Sequence, residues 1–255
     1  MAMDDTVWRS AELVGRYLGG VRGAIPLAAE QIAVMLRLLD GLERPVARVL
    51  DLGCGDGVLA AAVLDRHPAA AAVLLDHSPP MLQAAARRFA GRADRVTLFE
   101  ADYGDPAWVG RLPPGPPFDA VVSGFSIHHQ PDDRKRRVYA EVLFLLRPGG
   151  LFVNVEHVAS RSAWGERMWD GAMTDALFAF HSARDPSATR ERIADEYHRR
   201  PDKAANILAP VEDQCAWLRE IGFADVDCWM KIFELSVFGG RRPGAGGSPT
   251  ADRAG

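Results

Sequence analysis

The sequence predicts an α/β fold: a doubly wound, mostly parallel sheet of seven strands, closed by an antiparallel hairpin and carrying a helical insertion after strand five. Three observations lead there. Short apolar runs of strand length alternate with stretches of helical period, which is the pattern of a parallel sheet covered on both faces. The first run is stopped by a glycine-rich turn, Asp51-Leu52-Gly53-Cys54-Gly55-Asp56-Gly57. Acids stand at the ends of the first three runs: Asp51, Asp76 and Asp102.

The first forty residues have helical period. Residues 7–18 are amphipathic, and Pro26 stands where a second helix begins, running through Met35, Leu36 and Leu39. The period then shortens. Residues 47–52 form an apolar run ended by glycines, the first strand. A helix from Val58 to Arg66 is halted by Pro68. Residues 72–75 lead to Asp76 as the second strand, and Ser78 caps a helix that begins near Pro79 and carries Met81, Leu82, Ala85 and Phe89. Residues 95–99 are the third strand and 118–123 the fourth. Asp132 or Asp133 opens the next helix, through Val138, Val142 and Leu145, with Pro148-Gly149-Gly150 as its stop. Residues 151–155 are the fifth strand.

Residues 160–209 break this rhythm. They are charged, helical in composition, and carry Trp164, Trp169, Phe178 and Phe180, the core of a helical cap over the carboxyl edge of the sheet. A helix over 211–221 precedes two apolar stretches, 226–230 and 232–238, which form the closing hairpin. The Gly/Pro/Ser-rich stretch 241–255 is expected to be disordered. The whole is a Rossmann-like domain over 1–240, with a helical lead-in over 1–42.

Composition narrows the function classes. The chain has 255 residues, 48% hydrophobic and 25% charged, enough to bury a sizeable core. Its formal charge of −4 argues against a large nucleic-acid footprint. Cys54, Cys215 and Cys228 form no CxxC pair and have no histidine at metal-ligand spacing, so reduced thiols and no metal are expected. No stretch approaches the roughly 18 apolar residues of a membrane span. The acidic start, Met-Ala-Met-Asp-Asp, is unlike a secretory signal, so a cytoplasmic location is expected.

The chemistry begins at the glycine turn. Gly53, Gly55 and Gly57 lack a Cβ and let the backbone approach a ligand closely. A dinucleotide fingerprint runs G-x-G-x-x-G, but here Val58 stands where its third glycine falls. The acids around the turn disfavour phosphate and suit a ligand bearing an ammonium and a sulfonium. Asp56 is either part of that set or a solvated charge at a helix start.

Over residues 20–240 the sequence resembles the class I S-adenosylmethionine-dependent methyltransferases. Val49-Leu50-Asp51-Leu52-Gly53-Cys54-Gly55-Asp56-Gly57 is similar to their first motif, and Leu75-Asp76-His77-Ser78-Pro79-Pro80-Met81-Leu82 to the second. The resemblance implies S-adenosyl-L-methionine as cofactor, with Asp51, Gly53, Cys54 and Gly55 around it and Asp76 on the ribose hydroxyls. It places Met81 and His77 beside the adenine. Ala101-Asp102-Tyr103 resembles the third motif, which implies that Asp102 accepts from the adenine amino group with Tyr103 nearby. Ser123, at the end of the fourth-strand motif, completes the implied cofactor set.

Methyl transfer from a sulfonium is an in-line displacement, in which the protein aligns the acceptor and removes a proton where one must leave. The turn after strand four, Ser123-Gly124-Phe125-Ser126-Ile127-His128-His129-Gln130, offers His128 or His129 as base, or as a loop anchor bonded to backbone. Glu156 and His157, beyond strand five, face the same edge and either orient an acceptor or simply meet the insertion. Arg199 and Arg200 either bind an acidic group or form a solvated turn.

A small-molecule acceptor is therefore expected, with no nucleic acid and no membrane as partner. The lead-in, the insertion and the Glu212…Trp217-Leu218…Gly222-Phe223 stretch are also similar, more loosely, to carboxy-S-adenosylmethionine synthase, a cofactor-modifying enzyme. That likeness is compatible with a homodimer. A non-catalytic S-adenosylmethionine-binding protein is the remaining alternative.

Overall fold

The computed structural model describes residues 8–19, 21–200, 203 and 205–244. Two helices lead in, α1 (Ala11–Gly19) and α2 (Ala28–Asp40). The second starts two residues after Pro26, because Leu27 takes a left-handed conformation (φ 56°) just before it. The alternating series follows: β1 (Arg48–Leu52), α3 (Val58–Arg66), β2 (Ala71–Asp76), α4 (Pro79–Arg88), β3 (Val96–Glu100), α5 (Trp108–Arg111), β4 (Phe118–Gly124), α6 (Asp132–Leu145) and β5 (Leu146–His157). Helices α7 (Ala163–Ser182) and α8 (Arg190–Arg199) come next, then α9 (Val211–Ile221), β6 (Ala224–Ile232) and β7 (Leu235–Arg241).

The seven strands form one sheet in the order β3-β2-β1-β4-β5-β7-β6. β1 to β5 pair in parallel, and β7 pairs antiparallel with both β5 and β6. Strand residues alternate between two apolar layers, as the pleat requires. Leu50, Leu52, Val73, Leu75, Val121 and Phe152 pack against α5, α6 and α9. Val49, Ala72, Leu74, Ala120, Val122 and Val153 pack against α2, α3 and α4. The order of strands reverses between β1 and β4, and the crevice at the carboxyl ends there is where open α/β sheets bind ligands.

Strand β5 has twelve residues, where the apolar run suggested five. Arg147-Pro148-Gly149-Gly150 does not separate helix from strand; it is an irregularity inside the strand. Phe118 faces Leu146, the register then shifts, and Ala120 faces Leu151. Asp119 holds that corner. It accepts from the N–H groups of Ala47 (2.9 Å) and Arg48 (2.8 Å) and pairs with Arg147. The expected disorder from 241 onward is corrected at its start. Gly149 donates to the Arg242 carbonyl (2.9 Å) and Arg242 to that of Gly150 (2.8 Å), which holds the chain beyond β7. Residues 245–255, like 1–7, lie outside the described ones.

Ser162 and Thr189 cap α7 and α8, accepting from Gly165 (3.1 Å) and Arg192 (3.3 Å). Trp169, Met173 and Leu177 of α7 pack with Ile193 and Tyr197 of α8, and also with Ala24 and Leu235. The two helices are thus seated on the lead-in and the hairpin. Trp164 is no part of that core, being 65% exposed.

Candidate functional site

A single cavity runs over the carboxyl ends of β1, β2, β4 and β5, beneath α7 and α8. Its first wall is the glycine turn. Gly53, Gly55 and Gly57 all have positive φ (67°, 56° and 78°), a region that other residues enter at a cost. Their surroundings differ. A Cβ on Gly53 would lie 1.8 Å from Ser126 Oγ, and one on Gly57 would lie 2.5 Å from the Phe89 ring and 2.8 Å from Leu74. A Cβ on Gly55 would meet only Met81 Sδ, at 3.8 Å, in space that belongs to the cavity. Gly53 and Gly57 are therefore packing requirements, and Gly55 is the one that leaves room for a ligand.

The carboxylates around this turn have separate tasks. Asp51 is buried in β1, and its Oδ2 accepts from the Ala60 N–H (2.9 Å), tying the turn to the first turn of α3. Asp56 is neither solvated nor turned to the ligand: it is buried and paired with Arg88. Asp76 lines the cavity and takes one backbone N–H on each oxygen, Gly55 on Oδ2 and Ser78 on Oδ1, both at 2.8 Å. A carboxylate has about four lone-pair sites, so further donors can be accommodated. Burial raises the pKa of Asp76, against the lowering effect of those two N–H groups and of His77. Ser78 caps α4 through Met81 N–H (3.4 Å). Cys54, His77 and Met81 join the lining; burial, then the charges of Asp76 and Asp51, push the Cys54 thiol well up, so it is inert.

Two expected cofactor residues are placed elsewhere. Asp102 is exposed and does not line the cavity; its Oδ1 accepts from the Gly104 N–H (2.6 Å), closing a tight turn. Its neighbour Tyr103 is buried and does line the cavity, with its hydroxyl 2.7 Å from Ser126 Oγ. Arg134 fixes that loop by donating to the Tyr103 carbonyl (2.9 Å) while pairing with Glu141 (2.8 Å). Ser123 is fully buried and donates to the Leu52 carbonyl (2.7 Å), clasping β4 to β1 away from the cavity. Phe125 and Ser126, just after it, supply the lining instead.

The opposite wall is built on the histidine turn. His128 lines the cavity, and its Nδ1 lies 2.6 Å from Glu156 Oε1. Glu156 is fully buried and does not reach the cavity, so its part is to orient His128. Backbone N–H groups of His157 (2.9 Å) and His128 (3.2 Å) also donate to it. Such donors favour an ionised carboxylate that receives the Nδ1–H of His128, although burial raises the pKa of Glu156. The His128 pKa is held well below its ordinary value of 6.5, first by burial and then by the charges of His157, Lys135 and Arg200; a hydrogen bond with Asn206 works the other way. The imidazole is thus neutral near pH 7. His129 also lines the cavity, but its Nδ1 lies 3.1 Å from the Ala205 carbonyl, which makes it the loop anchor of the pair.

Beyond the histidines, the cavity is aromatic. Trp8, Tyr17, Trp169 and Tyr197 line it, and so does Arg200, whose guanidinium stands 4.5 Å over the Tyr197 ring. Arg200 is therefore part of the cavity wall, not a solvated turn. Arg199 points outward and pairs with Asp195 (3.3 Å). Trp8, Tyr197, Asn206 and Glu234 escaped the sequence reading. Only Glu234 left a trace there, as the one acid in the apolar stretch 232–238.

Residues 49–150 match the family described as a methyltransferase domain. The chain is 37% identical over 115 residues to demethylmenaquinone methyltransferase of Thermus thermophilus, which is 45% of this chain and 49% of that protein. The chain spans about half the length of that relative. An O-methyltransferase family protein from Burkholderia thailandensis shares the fold, with a TM-score of 0.57, 21% identity, and coverage of 90% of this chain and 62% of that one. So does human N-acetylserotonin methyltransferase in complex with SAM, with a TM-score of 0.55, 14% identity, and coverage of 95% and 59%. Residues 49–150 are thus similar to a methyltransferase domain, on the fold that solved methyltransferases share.

Proposed function

We propose that the protein transfers a methyl group from S-adenosylmethionine to a small molecule held against His128. The observation that carries this reading is the continuity of one cavity from Gly55 and Asp76 at one end to the His128–Glu156 pair at the other. The first end fits the cofactor: the space at Gly55 admits a ligand where a Cβ would intrude, and Asp76 has acceptor capacity for ribose hydroxyls. When bound there, S-adenosylmethionine supplies an electrophilic methyl group on sulfur.

The chain's own residues do the rest. Glu156 accepts the Nδ1–H of His128 and so leaves the lone pair on Nε2, the tautomer of a proton acceptor. A neutral His128 would take the proton of an acceptor X–H that bound S-adenosylmethionine would methylate. Trp8, Tyr17, Trp169 and Tyr197 exclude water and align the acceptor. The Thermus relative, by its name, also methylates a small molecule.

Incubating purified protein and a small-molecule extract with isotope-labelled S-adenosylmethionine tests the reading. Labelled product should form with the wild type and fall by about 10²-fold or more in His128→Gln. Asp76→Ala should lose product through weaker cofactor binding. Undiminished labelling in both variants would refute the assignment.

A further inference from the structure

The acceptor end contains a second histidine–carboxylate pair, which the methyl-transfer step does not use. His157 closes β5 and Glu234 stands between β6 and β7, yet His157 Nε2 and Glu234 Oε2 are 2.9 Å apart. The carboxylate is held from other sides too. Its Oε1 accepts from the Ser160 N–H (3.2 Å), and the Glu234 carbonyl accepts from the Val158 N–H (2.8 Å). Glu234 is only 3% exposed.

Glu234 is the second residue of the two-residue turn between β6 and β7, a turn whose first residue ordinarily has positive φ. Phe233 takes a left-handed conformation (φ 51°) and is 50% exposed, and Ile232 before it is 41% exposed. Two large apolar side chains face out so that an acid can face in, which inverts the ordinary burial preference. A buried carboxylate is costly unless a partner compensates its charge.

His157 lines the same cavity as His128, with ring centroids 5.8 Å apart, and packs against Trp169 at 5.7 Å. Its Nε2 is engaged by Glu234, and its Nδ1 has no hydrogen-bond partner among the described residues. With Nε2 held by Glu234, Nδ1 is the ring nitrogen of His157 left to hydrogen-bond a molecule in the cavity. Two anchored imidazoles therefore address one bound molecule between aromatic walls.

We propose that His157, oriented by Glu234, binds a second hydroxyl of the acceptor, so that the preferred acceptor is a flat arene with two neighbouring hydroxyls. One hydroxyl faces His128 and is methylated; the other hydrogen-bonds to His157 Nδ1. This rests on the methyl-transfer reading of the same cavity. His157 contacts the acceptor, and Glu234 is a positioning residue acting through it.

The test uses catechol and phenol as probes, with two readouts on the full chain: binding to protein saturated with S-adenosylhomocysteine, and methyl transfer from labelled S-adenosylmethionine. The wild type should bind catechol at least roughly tenfold more tightly than phenol, the worth of a hydrogen bond whose loss leaves a buried group unpaired. His157→Phe should abolish that preference. Glu234→Gln should raise the KM for catechol more than it lowers kcat, which a merely structural role would not produce. His157→Asn, with its melting temperature as a check, guards against a misfolded first variant. Equal binding of the two probes by the wild type, binding of neither, or a preference that survives in both folded His157 variants would overturn the proposal. Catechol preference without transfer to either probe would uphold the second pair and count against the methyl-transfer reading. Transfer to both without preference would do the reverse.

Discussion

His128 and Asp76 bear ionisable groups shifted in opposite senses by burial, and each shift makes a prediction. The folded pKa of His128 lies well below 6.5, so the unfolded chain takes up a proton there that the folded chain refuses. Its contribution to stability is present above pH 6.5 and is lost as pH falls below that value. Asp76 and Glu156, raised by burial, act in the other direction, gaining stability as pH falls through their folded values. His128→Gln should therefore lose less melting temperature than the wild type between about pH 7 and 5.5. The same shift keeps the base neutral, so the acid limb of the rate profile should lie below pH 6.5 and not at it. At Asp76, Asp76→Asn keeps the shape and removes the charge. It should weaken S-adenosylmethionine binding by about 10-fold or more in calorimetry, the range of a hydrogen bond to a charged group.

Elements were legible in the sequence wherever local chemistry decides them. Helices α3 and α9 have the bounds that periodicity gave, and Ser78 caps α4 as its side chain dictates. Legibility failed where partners far along the chain decide. The extra length of β5 comes from pairing with β4 across Asp119, and the order beyond β7 from Arg242 bonding to residues 149 and 150. Trp164 and Trp169 are both plausible core residues by type, yet only Trp169 faces α8. Urea unfolding should show Trp169→Ala losing about 3 kcal/mol or more and Trp164→Ala within about 0.5 kcal/mol of the wild type. Gly57→Ala should lose about 2 kcal/mol, since it combines a φ of 78° with overlap on Phe89 and Leu74. Asp119→Asn leaves the half-buried Arg147 without its counter-charge and should lose about 1 kcal/mol.

At the scale of the whole molecule, the glycine-turn end of the cavity was easier to see than the histidine end. Gly53, Gly55, Asp76, His77 and Met81 come from two short stretches at successive strand ends, so spacing exposes them. The histidine end is assembled from Trp8, His128, His157, Trp169, Tyr197 and Arg200, with Glu234 behind His157, which only the tertiary fold brings together. Asp102 and Ser123 stand at the right places in their motifs, and their side chains close a turn and clasp two strands. Equilibrium binding of S-adenosylmethionine to the wild type, Asp76→Ala and His128→Gln, measured side by side by calorimetry, tests most directly that one cavity holds the donor at one end and the base at the other. The wild type and His128→Gln should bind within about threefold of each other, with Asp76→Ala weaker by about 10-fold or more. Equal affinity in all three, or a loss confined to His128→Gln, would contradict it.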